Sequence, residues 1–376
     1  MKSEWKEYCL EDLLSYEQPT PYIVESTEYS DTFETPVLTA GASFILGYTD
    51  ETEGIYDQLP VIIFDDFTTA SKYVDFPFKV KSSAMKILTA NKELVLPKFI
   101  YYRMQVIKFE HSTHKRYWIQ QYSKIKVKIP SLQEQKRIVN KIEELFSELD
   151  SAVETLKKTK EQLAVYRQSV LKEAFEREKD GKFLKIKDFA NVGTGATPLK
   201  TRQDYYNGDI AWVSSGKVND KKIYTPTAYI TEKALEETNC SVYPAHTIVV
   251  AMYGEGKTRG QCAELMIDAA TNQALAAIVL QDNAVICKDF LLWFLTFNYE
   301  ELRRKAAGGV QPNLNLNLVK TISVPYCDMD TQMKIISEIE SKLTVCENIE
   351  KTVNDALIQA DAMRQSILKK AFEGSL

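Results

Sequence analysis

Within residues 131–180, apolar positions recur at alternating steps of four and three: Ile138, Ile142, Leu145, Leu149, Ala152, Leu156, Thr159, Leu163, Tyr166 and Val170. That spacing is the seam of a coiled coil, and no Pro or Gly interrupts it. Residues 326–376 carry a second seam, Ile335, Ile339, Lys342, Cys346, Ile349, Val353, Ala356, Ala360, Met363 and Ile367, with Lys342 breaking the register and Leu343 placed to substitute for it. Each segment predicts one helix of about 45 residues, roughly 65–70 Å long, which suits a spacer better than a compact core. A pair of ordinary core helices is the alternative; length and the strict heptad argue against it. Residues 1–130 and 181–325 read differently. Short β-rich runs (Leu59–Phe64, Thr247–Met252, Leu275–Leu280) alternate with turns, and one helix is expected in each segment, at Pro97–Lys108 and Lys288–Ala306.

The two halves repeat. Tyr166-Arg-Gln-Ser-Val-Leu-Lys-Glu-Ala-Phe-Glu176 returns as Met363-Arg-Gln-Ser-Ile-Leu-Lys-Lys-Ala-Phe-Glu373, and the same offset aligns Gln135–Glu143 with Gln332–Glu340. Ile129-Pro130 mirrors Val324-Pro325, and Leu10-x-Asp12-Leu13 mirrors Ile186-x-Asp188-Phe189. The expected organisation is therefore α+β: a globular domain (1–130), a helix (131–180), a second globular domain (181–325) and a second helix (326–376). The helices pair most simply as an antiparallel coiled coil with an internal pseudo-twofold.

Composition changes this picture mainly through charge. Hydrophobic residues at 44% and charged residues at 26% fit a globular protein, and no run approaches the length of a membrane span, so a cytoplasmic chain is expected. Its 6 cysteines form no CxxC pair, which reads as free thiols. A net charge of −5 is unexpected for a nucleic-acid binder, but it is unevenly spread. Residues 1–71 hold 2 lysines against 15 acids, and residues 72–128 hold 13 basic residues against 3 acidic ones. A polarised domain with a basic face interleaved with Tyr73, Tyr101, Tyr102, Tyr117 and Trp118 points to phosphate binding; the plainer reading is a lysine face balanced by the acidic first segment.

The remaining motifs fall in a recognisable order. The second half carries Gly193-Thr-Gly-Ala-Thr-Pro198, Ile210-Ala-Trp-Val-Ser-Ser-Gly216, Gly254-Glu-Gly-Lys-Thr-Arg-Gly260, Thr271-Asn-Gln273 and Gly308-Gly-Val-Gln-Pro-Asn-Leu314 before Ile322-Ser-Val-Pro325. The first half ends in Ile125-Lys-Val-Lys-Ile-Pro-Ser-Leu-Gln-Glu-Gln135. Together with the duplication, this layout resembles the specificity subunit of type I restriction-modification systems, along essentially the whole chain. The resemblance implies a non-catalytic reader of double-stranded DNA. It implies two methyltransferase subunits gripping the helices and modifying adenine with S-adenosylmethionine, and restriction/translocase subunits that use ATP and Mg where they are present. The chain itself is expected to bind no cofactor. Two readers on a fixed rod would recognise a bipartite, asymmetric site whose gap the rod sets.

Candidate DNA contacts are Lys72, Lys79, Lys81, Arg103, Lys115 and Arg116 in the first domain, and Lys217, Lys221, Lys222, Lys257, Thr258, Arg259 and Gln261 in the second. Arg259, in a Gly-rich loop, is the favoured guanine contact. Partner contacts are expected at Gln135, Ile138, Ile142, Arg167 and Phe175 and at Gln332, Ile335, Ile339, Arg364 and Phe372. The first domain has Ile63-Phe-Asp-Asp-Phe-Thr-Thr69 in place of the Gly-rich loop, so its contacts cannot be transferred from the second. Three rival readings fit less well. Ala251-Met-Tyr-Gly-Glu-Gly-Lys-Thr258 resembles a relaxed phosphate loop and Val61-Ile-Ile-Phe-Asp65 a magnesium-binding strand, but Gly260 follows at once and the acidic strand precedes. A fused methyltransferase lacks any Asn-Pro-Pro-Tyr or Asp-Pro-Pro-Tyr. A bare scaffold needs neither two aromatic-rich domains nor the basic segment. His111 and His114 have no acid or Cys at ligand spacing, so no metal is expected.

Overall fold

A computed structural model describes residues 5–41, 43–110, 116–178, 181–254, 256–307 and 313–375. It divides into two compact units, 1–157 with 354–376, and 158–353. The division cuts through both long helices, so each unit is a globular α+β part with one end of each helix packed on it.

In the first unit, β1 (Lys6–Cys9) turns through the short α1 (Leu10–Leu13) into β2 (Leu14–Glu17). There follow β3 (Thr35–Leu38), β4 (Ile45–Thr49), β5 (Val61–Asp65), β6 (Ser71–Val74), β7 (Lys79–Val80), β8 (Met85–Ala90), α2 (Pro97–Met104) and β9 (Lys126–Ile129), leading into α3 (Leu132–Glu176). β2, β8, β5 and β6 form an antiparallel sheet in that order, while β3 pairs antiparallel with β4 and parallel with β7. The first four residues of β5 are all buried, as a central strand covered on both faces requires. Phe64, Leu88, Phe99, Trp118 and Tyr122 build the core, and Ile138, Ile142, Leu368 and Ala371 of the helices complete it.

The second unit repeats that order. β10 (Lys182–Lys185), β11 (Ala190–Thr194), β12 (Tyr206–Val213), β13 (Lys222–Ile223), β14 (Ala228–Ile230), α4 (Glu232–Glu237), β15 (Val242–Tyr243), β16 (Ile248–Ala251), β17 (Cys262–Leu265), β18 (Ala269–Thr271) and β19 (Leu275–Leu280) precede α5 (Lys288–Phe297), α6 (Tyr299–Ala307), α7 (Leu316–Lys320), β20 (Ser323–Tyr326) and α8 (Met329–Phe372). β11, β19, β16 and β17 reproduce the β2, β8, β5, β6 order, with β13 added parallel to β17. β12 is antiparallel to β14 and parallel to β18, as β3 is to its neighbours. β1 pairs with β9 as β10 pairs with β20, closing each globular part just before its long helix. The duplication thus extends well beyond the residues that betray it in sequence.

α3 and α8 are antiparallel within each unit. In the second, Arg167 pairs with Glu350 at 2.7 Å, Lys342 with Glu173 at 3.4 Å and Arg177 with Glu338 at 3.0 Å, partners advancing along one helix as they retreat along the other. In the first, Arg364 pairs with Asp150 and lies 4.6 Å from the Phe146 ring centroid. Leu343 packs against the apolar cluster, while Lys342 beside it reaches Glu173 of α3. Two expectations about helices need correcting. The helix from Lys288 is not continuous to Ala306 but breaks at Asn298 into α5 and α6, and α2 stops at Met104 rather than Lys108.

Candidate nucleic-acid interface

The Gly-rich segment of the second unit is the connection between β16 and β17, residues 252–261. Its neighbours are antiparallel strands and the next element is again a strand, so no helix opens from it. A phosphate loop needs a helix N-terminus facing the phosphates, and that reading is excluded here. The segment instead projects from a hairpin. Lys257 is exposed, Thr258 and Arg259 are half-buried, and Gly260 donates its N–H to the Ala251 carbonyl at 2.8 Å, closing the base.

Beside this loop lies a cleft of about 300 Å³ lined by Lys221, Lys222, Gln261, Cys262, Trp293 and Thr296. Two exposed ammonium groups, an amide and an indole thus converge on one surface, a combination suited to phosphate and base contact. Lys221 has a left-handed backbone (φ 57°), and its carbonyl accepts the Glu264 N–H at 2.8 Å, which fixes where both lysines emerge. Glu264 is itself buried. Burial opposes its charge, yet hydrogen bonds from Lys288 and His246 prevail and hold the carboxyl below the usual range. Burial pushes the Cys262 thiol up to about 11, so it stays protonated. Lys217 is engaged locally, its Nζ 3.2 Å from Asp220 Oδ2 and donating to Thr225 Oγ1 at 3.1 Å. Trp293, Thr296 and Tyr299 come from α5 and α6; the sequence marks a helix there but not this lining role.

In the first unit the equivalent connection, between β5 and β6, is a short turn. Asp65 Oδ1 accepts the Phe67 and Thr68 N–H groups at 2.9 and 2.8 Å. Asp66 Oδ1 accepts Trp118 N–H at 2.7 Å, and Asp66 Oδ2 lies 3.2 Å from the Nζ of fully buried Lys86. The basic stretch is partly spent inside the unit. Lys79, expected to contact DNA, is instead placed as a buried strut, 2.6 Å from Glu51 and donating to the Glu53 carbonyl at 2.7 Å. Arg103 is likewise packed within the unit, its guanidinium carbon 5.3 Å from the Phe372 ring centroid. Lys126 pairs with Glu7 at 3.2 Å and Lys124 with Glu11. Lys72 is half-buried on β6, and Lys81 and Arg116 are exposed. Lys115, His111 and His114 lie outside the described residues.

The Type I restriction modification DNA specificity domain family matches residues 2–164 and again 178–359. The specificity subunit of the EcoR124I/EcoR124II type I restriction enzyme of Escherichia coli is 32% identical over 361 residues, covering 90% of this chain and 87% of that one. The chain belongs to the type I restriction-modification specificity subunits. A solved structure from work on complex assembly and conformational transition of the type I R-M system aligns over 100% of both chains with a TM-score of 0.74 at 16% identity. The HsdS subunit of Thermoanaerobacter tengcongensis aligns over 99% of this chain and 97% of its own with a TM-score of 0.59, also at 16% identity. At such identities the likeness is one of fold.

For a specificity subunit, the helix residues expected to face partners are placed otherwise. Gln135, Ile138, Ile142, Phe175, Gln332, Ile335 and Ile339 are all buried in the chain's own cores. Arg167 and Arg364 make ion pairs between α3 and α8, and Phe372 packs edge-on against Phe99 at 5.3 Å. The repeat made these residues conspicuous because they hold each unit together. The surface left over was hidden in the same pattern: Tyr166 and its equivalent Met363 are seam positions that stand 47% and 55% exposed, and Ile349 is exposed like its equivalent Ala152. No helix among the described residues is long and apolar enough to cross a membrane.

Proposed function

We propose that this specificity subunit reads a bipartite, asymmetric DNA site, with residues 1–130 and 181–325 each reading one half and residues 131–180 and 326–376 setting the unread gap. The carrying observation is that one strand order is built twice with different chemistry at the equivalent hairpin: a Gly-rich, basic loop in one unit, an aspartate-anchored turn in the other. Equivalent frames with unlike tips favour two unlike half-sites. The Lys221, Lys222 and Gln261 surface beside Lys257–Arg259 is the interface of the second half-site, with lysines positioning the backbone and Arg259 reading guanine. Lys72, Lys81 and Arg116 serve the first.

In this reading the chain has no catalytic role. Two methyltransferase subunits, using S-adenosylmethionine, dock on the long helices, and restriction/translocase subunits using ATP and Mg join them where present. Exposed apolar side chains at equivalent points of both helices, Tyr166 with Met363 and Val165 nearby, support a partner surface present twice. Adenine methylation mapped at single-base resolution, with and without this gene, tests the proposal. Loss of one bipartite, asymmetric motif is the expected result; an unchanged methylome in a cell whose methyltransferase is active refutes it.

A further inference from the structure

The 252–261 loop poses a mechanical problem. Gly256 and Gly260 adopt left-handed φ values of 58° and 86°, so the segment is built from residues that lose most conformational freedom on ordering. Main-chain bonds close its base and engage the Thr258 carbonyl, but the Gly256, Lys257 and Arg259 carbonyls take side-chain donors. Those donors come from α6. Arg303 Nη1 donates to the Gly256 carbonyl at 2.7 Å and to the Arg259 carbonyl at 3.3 Å. Tyr299 Oη donates to the Lys257 carbonyl at 2.7 Å, and Arg303 Nη1 also reaches that hydroxyl at 3.0 Å. The guanidinium carbon lies 5.4 Å from the Tyr299 ring centroid, so the pair forms a single platform. A side chain at position 260 would meet Arg303 Cγ at 3.3 Å, which shows how closely loop and platform fit.

We propose that Arg303 and Tyr299 are positioning residues for recognition of the second half-site: from α6 they fix the main chain of the loop, and through it the set of Lys257, Thr258 and Arg259. The inference rests on the DNA-reading role proposed above. The brace uses only main-chain oxygens of the loop, and a charged donor holds a carbonyl more strongly than a neutral one. It also places a fixed positive charge behind a loop that meets phosphates. The first unit has a different device at the equivalent turn, the Asp65 and Asp66 carboxylates. The effect of losing the α6 platform is therefore confined to one half-site, which a general loss of folding is not.

The test uses the subunit assembled with its methyltransferase, acting on a DNA library that holds the site and all its single-base variants, with methylation read at single-base resolution. Wild-type protein that methylates without a bipartite motif overturns the parent reading. Given a wild-type motif, Arg303→Ala is expected to reduce discrimination in the second half-site about tenfold, the scale of one well-placed base contact, with the first half-site unchanged. Arg303→Lys, which keeps the charge but not the fork, restores part of it. Tyr299→Phe, losing one donor and keeping the ring, gives a smaller loss of the same one-sided kind and carries the test should Arg303→Ala fail to assemble. Discrimination unchanged in Arg303→Lys and Tyr299→Phe alike, or reduced equally in both half-sites, overturns the proposal.

Discussion

Asp66 and Lys86 form an ion pair with both side chains at most 1% exposed, in the first unit. Removing one partner leaves the other charge buried and uncompensated, a loss of about 3–5 kcal/mol. Asp66→Ala also deprives the Trp118 N–H of its acceptor, so unfolding of the isolated subunit by urea should move to markedly lower concentration, whereas Asp65→Ala, on the exposed side of the turn, should cost far less. A contrasting prediction concerns a residue whose role is selection. Arg259→Ala should relax one position of the second half-site; methylation profiling that finds every position as selective as before removes Arg259 from base reading. Composition exposed neither distinction. Lys79 and Lys86 look in sequence like their exposed neighbours, and only the acids folded against them, Glu51 and Asp66, make them buried struts. Charge is legible in a sequence, but its partner on a different strand or loop is not.

Among the elements, the entrance to each long helix is the most informative. Gln135 sits just inside α3, where its side chain accepts Leu96 N–H at 2.8 Å and donates to the carbonyls of Leu94 at 3.0 Å and Pro130 at 2.9 Å. Gln332 does the same in α8, accepting Cys287 N–H at 2.9 Å and donating to Val285 at 2.8 Å and Cys327 at 2.9 Å. Both glutamines are fully buried, and both staple the loop that precedes the domain helix, α2 or α5, to the start of the long helix. Gln332→Leu keeps the volume and orphans three main-chain groups at about 1–3 kcal/mol each, so the second unit should lose several kcal/mol. Hydrogen exchange should show the loss as early opening around 285–297, with the first unit unaffected; protection there equal to wild type would refute the staple. The strand at Leu275–Leu280 was legible because its apolar run is buried, and the helices because the heptad and the repeat run unbroken, even though the seam positions Tyr166, Ile349 and Met363 stand exposed. The break at Asn298 was not, since residues on both sides keep helical composition and neither Pro nor Gly marks it.

For the molecule as a whole, the duplicated frame and the two helices allow a quantitative statement about the target. If the helices set the distance between readers, lengthening both must lengthen the unread gap by a calculable amount. One heptad inserted at equivalent points of α3 and α8 adds about 10 Å at 1.5 Å per residue, and it preserves the seam because seven residues restore the a/d register. With base pairs stacked about 3.4 Å apart, that increment is about three base pairs. A lengthened subunit should therefore methylate a motif with the same two half-sites and a gap wider by about three, while a four-residue insertion in each helix, which breaks the seam, should lose stability and activity together. The half-site sequences act as the internal control, because they depend on the hairpin tips and not on the helices. A wider gap with both half-sites intact is the outcome of a ruler; an unchanged gap in a stable, active heptad variant means that the partner subunits or the DNA set the spacing.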